Sequence, residues 1–513
     1  MTESVDVART VCSGRDMPFL PPHLVPAHDK IIEAFVGTLG PEALLEFPIT
    51  ALDRVGVPVW STWWSDSAGS GTGGIGYGST ARRARVGALG ECIEHVCAAR
   101  ALRGAAFEQG SLAELQSAHG VTGVIDPRTL GLPAGVRFDD DTALVWLPMK
   151  RLRDDSPVWV PAEFVASAAS ELPKTTPPAG WLTTPVSNGL GAGSSLAQAL
   201  AHAVLEIVQR DGNGLTFRAL DAGRVIDLDG VSDPETVSAL ARLEEAGVEV
   251  LAKLASDDFG MANIAVTGAA PADDILSATA CGEAVHPDRE VALGKAVLEF
   301  ANARPRKQLM HGPLDAVRAV APPAYERVIT AMDPAREEGW VLQSMLGWLA
   351  MPELEWRSLL AASVLRRDEV VPFLGLPTRS PAADPGAHLA DVVGRLAAEG
   401  YEVLYRDHSP VEGEGVHAVK VVVPGLEVET VSYHRISERN TVRLLLDERF
   451  DLVAIGERPP GWKRIHLTAE ARQRIGGAAW LDVSGLDALC APLRPLYREP
   501  SRHTAQNALA AGR

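Results

Sequence analysis

Three segments of the chain place apolar residues at helical spacing, with acidic residues on the adjoining face. The first runs from Ala81 to about Leu102. Its apolar positions lie three or four residues apart, at Val86, Leu89, Ile93, Val96 and Cys97. This spacing predicts a long helix with one buried stripe. Ser79 or Thr80 is its expected N-cap.

The second segment follows a run of alternating glycines, SNGLGAGSS, at residues 187–195. Ser194 or Ser195 is the expected N-cap of the helix that follows. Its buried stripe is predicted to consist of Leu196, Leu200, Ala203, Val204, Ile207 and Val208. Because glycine has no side chain, we expect the glycines to let backbone N–H groups approach a ligand closely. The order GxGxG does not match the GxGxxG of dinucleotide sites.

The third helix is predicted to begin at Asp288 and to end near Ala303, because Pro305 interrupts a helix. Strand-like segments lie between the helices, at 49–64 (entering a Gly/Ser-rich loop at 67–80), 141–152, 247–255, 261–270 and within 417–435. This alternation predicts an α+β fold with α/β-like repeats, in which β-sheets pack on long helices.

The chain is expected to divide into three parts. Residues 1–45 resemble an irregular arm with a helix near Asp29–Thr38, residues 46–436 form the main domain, and residues 437–513 form a C-terminal extension with a frayed end.

The composition and charge of the chain indicate which partners it binds and in which cellular compartment it is found. The 513 residues carry a formal net charge of −18, which argues against nucleic acid because that partner requires clustered Lys and Arg. The five cysteines form no CxxC pair, and the N-terminus lacks the apolar region of a signal peptide. No apolar run is long enough to span a membrane. These features predict a cytoplasmic protein that binds neither membrane nor nucleic acid.

Each of the three helices brings acids or amides next to its buried stripe. Glu91 and Glu94 are three residues apart and therefore share a face, where their repulsion favours a bound cation. The second helix carries Glu206, Gln209 and Arg210, and the third carries Glu299, Asn302 and Arg304. A solvated surface explains any one helix equally well. A zinc site of the HxxEH type is disfavoured because Glu91 occupies the position of its first His.

Five motifs in order resemble those of the YcaO family, over roughly residues 48–427. They are LDRVGVPV (52–59), GYGSTARRARVGALGECIEH (76–95), SNGLGAGSSLAQALAHAVLEIVQRD (187–211), the Glu299/Asn302/Arg304 set, and VKVVVPGLE (419–427). The resemblance implies a YcaO-type fold in which acids from long helices hold Mg²⁺ against the phosphates of ATP. It also implies phosphorylation of a backbone amide oxygen in a ribosomally made precursor peptide, giving an azoline or amidine, with a thioamide as the third product.

Residue roles carry over by position in these motifs. The resemblance implies catalytic roles for Glu91, Glu94, Glu206 and Arg210, and metal binding by the three acids and Gln209. It implies nucleotide binding by the residues at the remaining motif positions, which are Tyr77, Ser187, Asn188, Ser194, Gln198, Gln209, Arg210 and Arg304.

Some motif positions depart from the family pattern. Tyr77 replaces a Lys, Ser194 replaces an Asn, and Gln198 and Gln209 replace acids. An amide oxygen can still coordinate Mg²⁺, but it carries less charge. Two readings therefore stay open: an ATP-dependent peptide-modifying enzyme, or a degenerate scaffold that binds peptide for a catalytic partner. A leader-binding or accessory protein and a homodimer are also expected.

Overall fold

The computed structural model describes residues 28–512, apart from 68–70, 217, 381, 383, 412, 428 and 429. The strands of this part are β1 (Leu44–Pro48), β2 (Val59–Ser65), β3 (Gly71–Tyr77), β4 (Glu108–Gly110), β5 (Leu144–Arg151), β6 (Pro157–Pro161), β7 (Leu190–Gly193), β8 (Arg224–Asp227), β9 (Glu249–Ser256), β10 (Ala262–Ala269), β11 (Gly282–His286), β12 (Glu369–Pro372), β13 (Leu404–Asp407), β14 (His417–Val422), β15 (Val453–Ile455), β16 (Lys463–Arg464) and β17 (Ala479–Leu481).

The three longest helices are the three with acidic faces. The α-helices are α1 (His28–Leu39), α2 (Ala81–Arg103), α3 (Leu112–His119), α4 (Ala162–Val165), α5 (Leu196–Thr216), α6 (Pro234–Glu245), α7 (Ile275–Ala278), α8 (Arg289–His311), α9 (Leu314–Val320), α10 (Glu326–Ala331), α11 (Gly339–Leu349), α12 (Glu353–Ala362), α13 (Pro385–Ala398), α14 (Thr430–Tyr433), α15 (Glu438–Leu446), α16 (Ala469–Ile475), α17 (Val483–Cys490), α18 (Arg494–Tyr497) and α19 (Thr504–Ala510).

Four sheets, mainly antiparallel, organise the described residues. Their strand orders are β1-β2-β3, β4-β5-β13-β14-β7 with β6 against β5, β11-β10-β9-β8-β12, and β15-β17-β16. Of the paired strands, only β8 and β12 run parallel in this part of the chain. The α+β class is confirmed. The segments at 247–255 and 261–270, expected in a βα alternation, form the adjacent antiparallel strands β9 and β10.

The glycine-rich segment at 67–80 differs from the sequence expectation. Its residues 71–77 form strand β3 instead of a loop, and they pair along the whole of β2. The strand predicted at 49–64 is also shorter, because regular pairing of this segment with β3 begins at Val59. Glycine weakens an isolated strand. Here its lack of a side chain allows α2 to lie directly on β3.

The end of the third helix was also predicted wrongly. Helix α8 continues through Pro305 to His311. Proline removes one backbone hydrogen bond from the helix. The following turn is nevertheless held in the core, since Leu309 and His311 are fully buried. Tertiary packing therefore outweighs the local preference of proline to end a helix.

The C-terminal end packs against the domain and is not frayed. His503 is fully buried, its N–H donates to the Met310 carbonyl, and its Nε2 lies 2.9 Å from the Tyr325 hydroxyl. Helix α19 adds buried Ala505 and Ala508 to the core. The division near residue 436 stays a prediction.

At the other end of the described chain, α1 packs its Ile32, Phe35 and Leu39 against Leu89 and Ile93 of α2. Residues 1–27 of the expected arm lie outside the described part. No described helix is both long and apolar enough to cross a membrane.

Candidate active site

The three acidic helices belong to three similar strand–helix units, β3–α2, β7–α5 and β11–α8. In each unit the helix follows its strand after a short turn and lies on it. A Cβ at Gly74 would overlap the Ala88 carbonyl of α2, and one at Gly191 would overlap the Ala199 carbonyl of α5. The glycines therefore allow close helix–strand packing. Gly191 and Gly193 both face α5, so the structure gives them this packing role, and the close approach of their N–H groups to a ligand stays a prediction.

Each unit uses one helix carboxylate to bind a backbone N–H beside or within its own strand. Glu91 Oε2 accepts from Ile75 N at 2.6 Å in the first unit. Glu206 Oε2 accepts from Gly189 N at 2.9 Å in the second, and Glu299 Oε2 accepts from Glu283 N at 2.9 Å in the third. Because each bond engages one oxygen, it fixes the carboxylate and leaves the other oxygen for a cation or donor.

Glu94 joins the first unit to the second. Its Oε1 accepts from Ala192 N of β7 at 2.9 Å, and His202 Nε2 of α5 lies 3.8 Å from the same oxygen. Burial raises the pKa of Glu94 well above its usual value, and the charges of Glu206 and Glu91 raise it further. The repulsion inferred from the Glu91/Glu94 spacing is therefore present, and it extends to a third acid.

Glu299 forms an acid cluster together with Glu91, Glu94 and Glu206, and Tyr77 lies beside these carboxylates. Burial raises the pKa of Glu299 to about 7, although the bond from Glu283 N opposes this change. Burial also raises the pKa of the Tyr77 hydroxyl well above 10, with further contributions from Glu299 and Glu91. Tyr77 therefore lies among these acids as a neutral hydroxyl group, at the position where the family pattern has a cation.

Two cationic side chains lie near the acid cluster, Arg210 on α5 and Lys420 on β14. Arg210 Nε lies 3.6 Å from Glu206 Oε1, and Arg210 Nη1 lies 3.5 Å from Glu283 Oε2. Lys420 Nζ donates to the carbonyls of Val186 and Asn188, both at 2.7 Å. Burial lowers the pKa of Lys420 to about 8, while Glu206 opposes that shift. Sequence reasoning missed Lys420, whose only signal was a lysine within an apolar strand.

Arg304 does not join this group of side chains. It is fully buried and forms ion pairs with Asp53 and Asp273 at 3.0 and 2.7 Å. These contacts tie α8 to the β1–β2 connection and the segment before α7. Burial would lower the pKa of the next arginine, Arg306, but Glu499 raises it, and the charges of Glu91 and Glu299 add to that increase. Of these two α8 arginines, Arg304 is thus engaged in the core, and Arg306 is the one near the acids.

The C-terminal segment supplies the counter-ion for this end of α8. Glu499 binds Arg306 Nη1 and Lys307 Nζ, each at 2.8 Å. His311 Nε2 lies 3.5 Å from the same carboxylate. Burial would raise the pKa of Glu499, but Arg306 and Lys307 hold it well below its usual value. The expected extension thus reaches the edge of the acid cluster.

The other residues predicted for nucleotide binding lie before β7, between β7 and α5, and on α5 itself. Ser194 donates through both its N–H and its hydroxyl to Gln198 Oε1, at 3.0 and 2.9 Å. Ser187 is exposed, and Asn188 is buried with its carbonyl bound to Lys420. Gln209 is half-buried one residue before Arg210, and its carbonyl accepts from Asn263. Gln198 and Ser194 therefore hold each other at the start of α5.

Gly282→Ala is expected to lower the free energy of unfolding by roughly 1–3 kcal/mol, as overpacking of a core does. A Cβ there would overlap the Ala296 carbonyl oxygen and the Phe300 amide nitrogen of α8. Gly394→Ala in α13 is the control, because its Cβ would meet nothing within 4 Å. That substitution should stabilise the helix by about 0.5–1 kcal/mol. Denaturant unfolding measures both changes, and equal effects would contradict the role given to Gly282.

Glu299→Gln is expected to raise the Tm of the ligand-free protein at pH 8 and to leave it nearly unchanged at pH 5. The pKa of Glu299 is raised from 4.5 to about 7 by burial, so the folded state binds more protons between these values. Stability therefore falls as pH rises through this window. Glutamine removes that cost and can still accept from Glu283 N. Thermal unfolding at the two pH values is the measurement, and an equal rise at both would disprove the assignment.

The oxygen ligands of the cluster suit Mg²⁺, but they do not form a ready-made cage. Among the described residues, no three His, Cys, Asp or Glu side chains converge as around a bound metal. Mg²⁺ is commonly held by one or two carboxylates together with substrate phosphates. Burial raises the pKa of Glu94 and that of Glu299, so a bound cation would help to keep both carboxylates ionised. Glu91, Glu94, Glu206 and Glu299 therefore fit a metal that arrives with a nucleotide.

Comparison with known proteins identifies the class to which this site belongs. Residues 75–427 match the family model described as YcaO cyclodehydratase, ATP- and Mg²⁺-binding. The chain belongs to the YcaO family. ATP and Mg²⁺ are thus its cofactors, and the coarse activity of the family is ATP-dependent cyclodehydration of peptides.

Several individual proteins are similar to this chain. An uncharacterized protein of Methanothermobacter thermautotrophicus is 30% identical over 404 residues, which is 76% of this chain and 91% of the relative. The structure of YcaO from Methanopyrus kandleri bound with AMPPCP and Mg²⁺ has a TM-score of 0.55 and 20% identity, covering 85% of this chain and 96% of that one. A heterocyclase in complex with substrate and cofactor has a TM-score of 0.58 and 18% identity, covering 79% of this chain and 53% of the heterocyclase. At these identities, the two structures show the fold alone.

Proposed function

We propose that this protein uses ATP to phosphorylate a backbone amide oxygen of a ribosomally made precursor peptide. The observation that carries the proposal is the anchoring of four carboxylates to backbone N–H groups of three strand–helix units. Fixed carboxylates beside Arg210 and Lys420 suit phosphoryl transfer, which depends on positioning and charge neutralisation more than on covalent catalysis. The position of the set within the matched YcaO region supports the same conclusion.

The proposed reaction balances as follows. The amide oxygen of the peptide bonds to the γ-phosphorus of the substrate ATP, the bond to the β-bridging oxygen breaks, and ADP leaves. A nucleophile then attacks the amide carbon, and inorganic phosphate leaves with the former amide oxygen. When a Cys, Ser or Thr side chain attacks, loss of its proton and of the amide proton gives an azoline. An amine gives an amidine, and supplied sulfide gives a thioamide.

The residues of the site would differ in role according to their charge. Bound Mg²⁺ would neutralise phosphate charge and orient the γ-phosphoryl group. Arg210 and Lys420 lie beside Glu206, where they would stabilise negative charge that develops on the transferred group. Arg306, held by Glu499, would do the same from α8. Tyr77 would offer a neutral hydroxyl donor between Glu91 and Glu299.

The peptide partner and the assembly form part of the proposal. We expect a precursor peptide delivered alone or by a leader-binding or accessory protein, and a homodimer in the cytoplasm. The net charge of −18 favours a neutral or basic peptide.

Two measurements test the proposed function. Calorimetry should detect binding of the non-hydrolysable nucleotide AMPPCP at millimolar Mg²⁺, with much weaker binding by Glu91→Gln. With a candidate precursor peptide labelled with ¹⁸O at the reacting amide, mass spectrometry should find the label in released phosphate. Label that stays in the peptide product, or phosphate that gains it only from labelled water, would contradict amide phosphorylation.

The alternative is a scaffold that keeps the peptide site without turnover. The mutual hydrogen bonds of Ser194 and Gln198, at the motif positions of an Asn and an acid, favour it. A protein that binds peptide but releases no phosphate, with or without a partner protein, would establish that function. Loss of a measured turnover in Glu206→Gln would exclude it.

A further inference from the structure

A small polar cavity lies beside Arg210. It has a volume of about 40 Å³, and its walls include Arg210, Asn213, Arg218, Glu283, Ser432 and Tyr497. This volume is enough for roughly three water molecules, or for a planar polar group of similar size. Since Arg210 also contacts Glu206 at 3.6 Å, the cavity and the proposed phosphate site share a wall.

Asn213 is a buried polar side chain in the wall of this cavity. It is only 1% exposed, and neither Nδ2 nor Oδ1 forms a hydrogen bond of normal geometry within the described part of the chain. Its side chain lies close enough to the Glu283 carboxylate to help Arg218 and Arg210 lower the pKa of that acid, but the Oδ1 atom has no donor among the described residues. A buried polar group without a hydrogen-bond partner destabilises the folded state. Asn213 lies three residues after Arg210 on α5, so the two side chains share a face of the helix. The Ser432 Oγ atom on the cavity wall is likewise buried without a described partner.

The charges around the cavity favour a neutral ligand. Glu283 Oε1 binds Arg218 Nη2 at 2.7 Å, and Glu283 Oε2 lies 3.5 Å from Arg210 Nη1. Glu206 Oε1 lies 3.6 Å from Arg210 Nε. The two guanidinium groups are thus matched by two carboxylates. A free anion would gain little here, whereas a neutral group that both donates and accepts hydrogen bonds would satisfy Asn213.

An extended peptide residue has that chemistry. Its N–H and C=O point to the same side of the chain, as in the hydrogen-bonded pairs of an antiparallel sheet. The side-chain amide of asparagine presents a matching acceptor and donors.

We propose that the cavity holds the substrate residue whose carbonyl is phosphorylated, with Asn213 Nδ2 donating to its C=O and Asn213 Oδ1 accepting from its N–H. This inference rests on the proposed function, because it assigns the acceptor subsite beside the phosphate site. The carbonyl would then lie next to Arg210, where the transferred group gains negative charge. Asn213 would position the amide without taking or giving a proton.

The test uses two minimal probes, N-acetylglycine methylamide and its ester analogue, which has oxygen in place of the glycine N–H. Binding is measured by saturation-transfer NMR in the presence of Mg²⁺ and AMPPCP. Wild-type protein should prefer the amide by about fivefold, the contribution of one ordinary hydrogen bond. Asn213→Leu should weaken amide binding and lose the preference.

Stability measurements separate this role from a structural one. Replacing a buried amide that lacks hydrogen bonds of normal geometry by leucine, which has the same branching of heavy atoms, should leave Tm unchanged or raise it. Asn507→Leu is the matched control, because Asn507 Nδ2 donates to the Ile329 and Met332 carbonyls at 2.8 Å. That variant should lower Tm and keep the preference for the amide.

Each of the other possible results would contradict one part of the proposal. A preserved amide preference in Asn213→Leu, or a Tm loss equal to that of Asn507→Leu, would overturn the role of Asn213. Displacement of the amide probe by inorganic phosphate would make the cavity an anion site. Wild-type protein that binds AMPPCP but not the amide would overturn the acceptor pocket alone. Failure to bind AMPPCP would instead remove the proposed function.

Discussion

Glu206→Gln is expected to reduce ATP turnover by about a hundredfold or more, the usual scale for loss of one preorganised charge or donor in an active site. Glutamine keeps an oxygen that can accept from Gly189 N, so the local fold should survive. It removes the negative charge that Arg210 and Lys420 both face. Phosphate release at saturating Mg²⁺ and ATP is the measurement, made with and without a candidate precursor peptide.

Glu402→Gln provides the matched control. Glu402 is about as exposed as Glu206, 29% against 24% for the side chains, and it pairs with Arg151 outside the acid cluster. Its turnover should remain within about twofold of wild type, as is usual for loss of an ion pair outside an active site. If the two variants lost activity equally, Glu206 would have no special role in turnover.

Glu499→Gln is expected to lower the free energy of unfolding by about 3 kcal/mol, the scale for breaking a largely buried ion pair. The substitution leaves Arg306 and Lys307 close together without their shared carboxylate. Because the pKa of Glu499 lies well below its usual value, its stabilisation is present above about pH 4.5 and is lost as pH falls towards the folded pKa. Denaturant unfolding at pH 7 and pH 4 should therefore show a larger difference at pH 7.

Glu326→Gln is the comparison for this second substitution. Glu326 forms a solvent-exposed pair with Arg318, and its loss should not measurably change stability. We also expect Glu499→Gln to weaken AMPPCP binding, since Arg306 would no longer be held near Glu91 and Glu299. A variant as stable as wild type would disprove the proposed tie between the C-terminal segment and α8.

Apolar spacing was sufficient to predict the long helices and their acidic faces. The periodicity of α2 and α5 reports directly which residues enter the core, and Glu91, Glu94 and Glu206 lie beside those stripes as expected. The way the acids are held could not be read from helical spacing, because their donors lie on other elements. A signal was nevertheless present: Gly74, Gly189 and Gly282 each lie seventeen residues before an anchored acid.

The arginines of α8 show why some assignments failed. Arg304 and Arg306 are two residues apart, so their side chains point about 200° apart around the helix. Which of them faces the acids depends on where α8 packs, and Pro305 suggested that no helix existed there. The buried partners of Arg304, Asp53 and Asp273, are distant in sequence and follow no periodic pattern. Glu499 was missed for the same reason.

The anchoring of carboxylates by backbone amides has a spectroscopic consequence. Ile75, Gly189, Ala192 and Glu283 each donate an N–H to an acid of the cluster. Protonation or metal uptake at a carboxylate changes its strength as an acceptor, and the donor N–H resonance should shift with it. Four assigned amide signals would thus report separately on Glu91, Glu206, Glu94 and Glu299. Titration with Mg²⁺ and nucleotide could then reveal the order in which the acids take up their ligands.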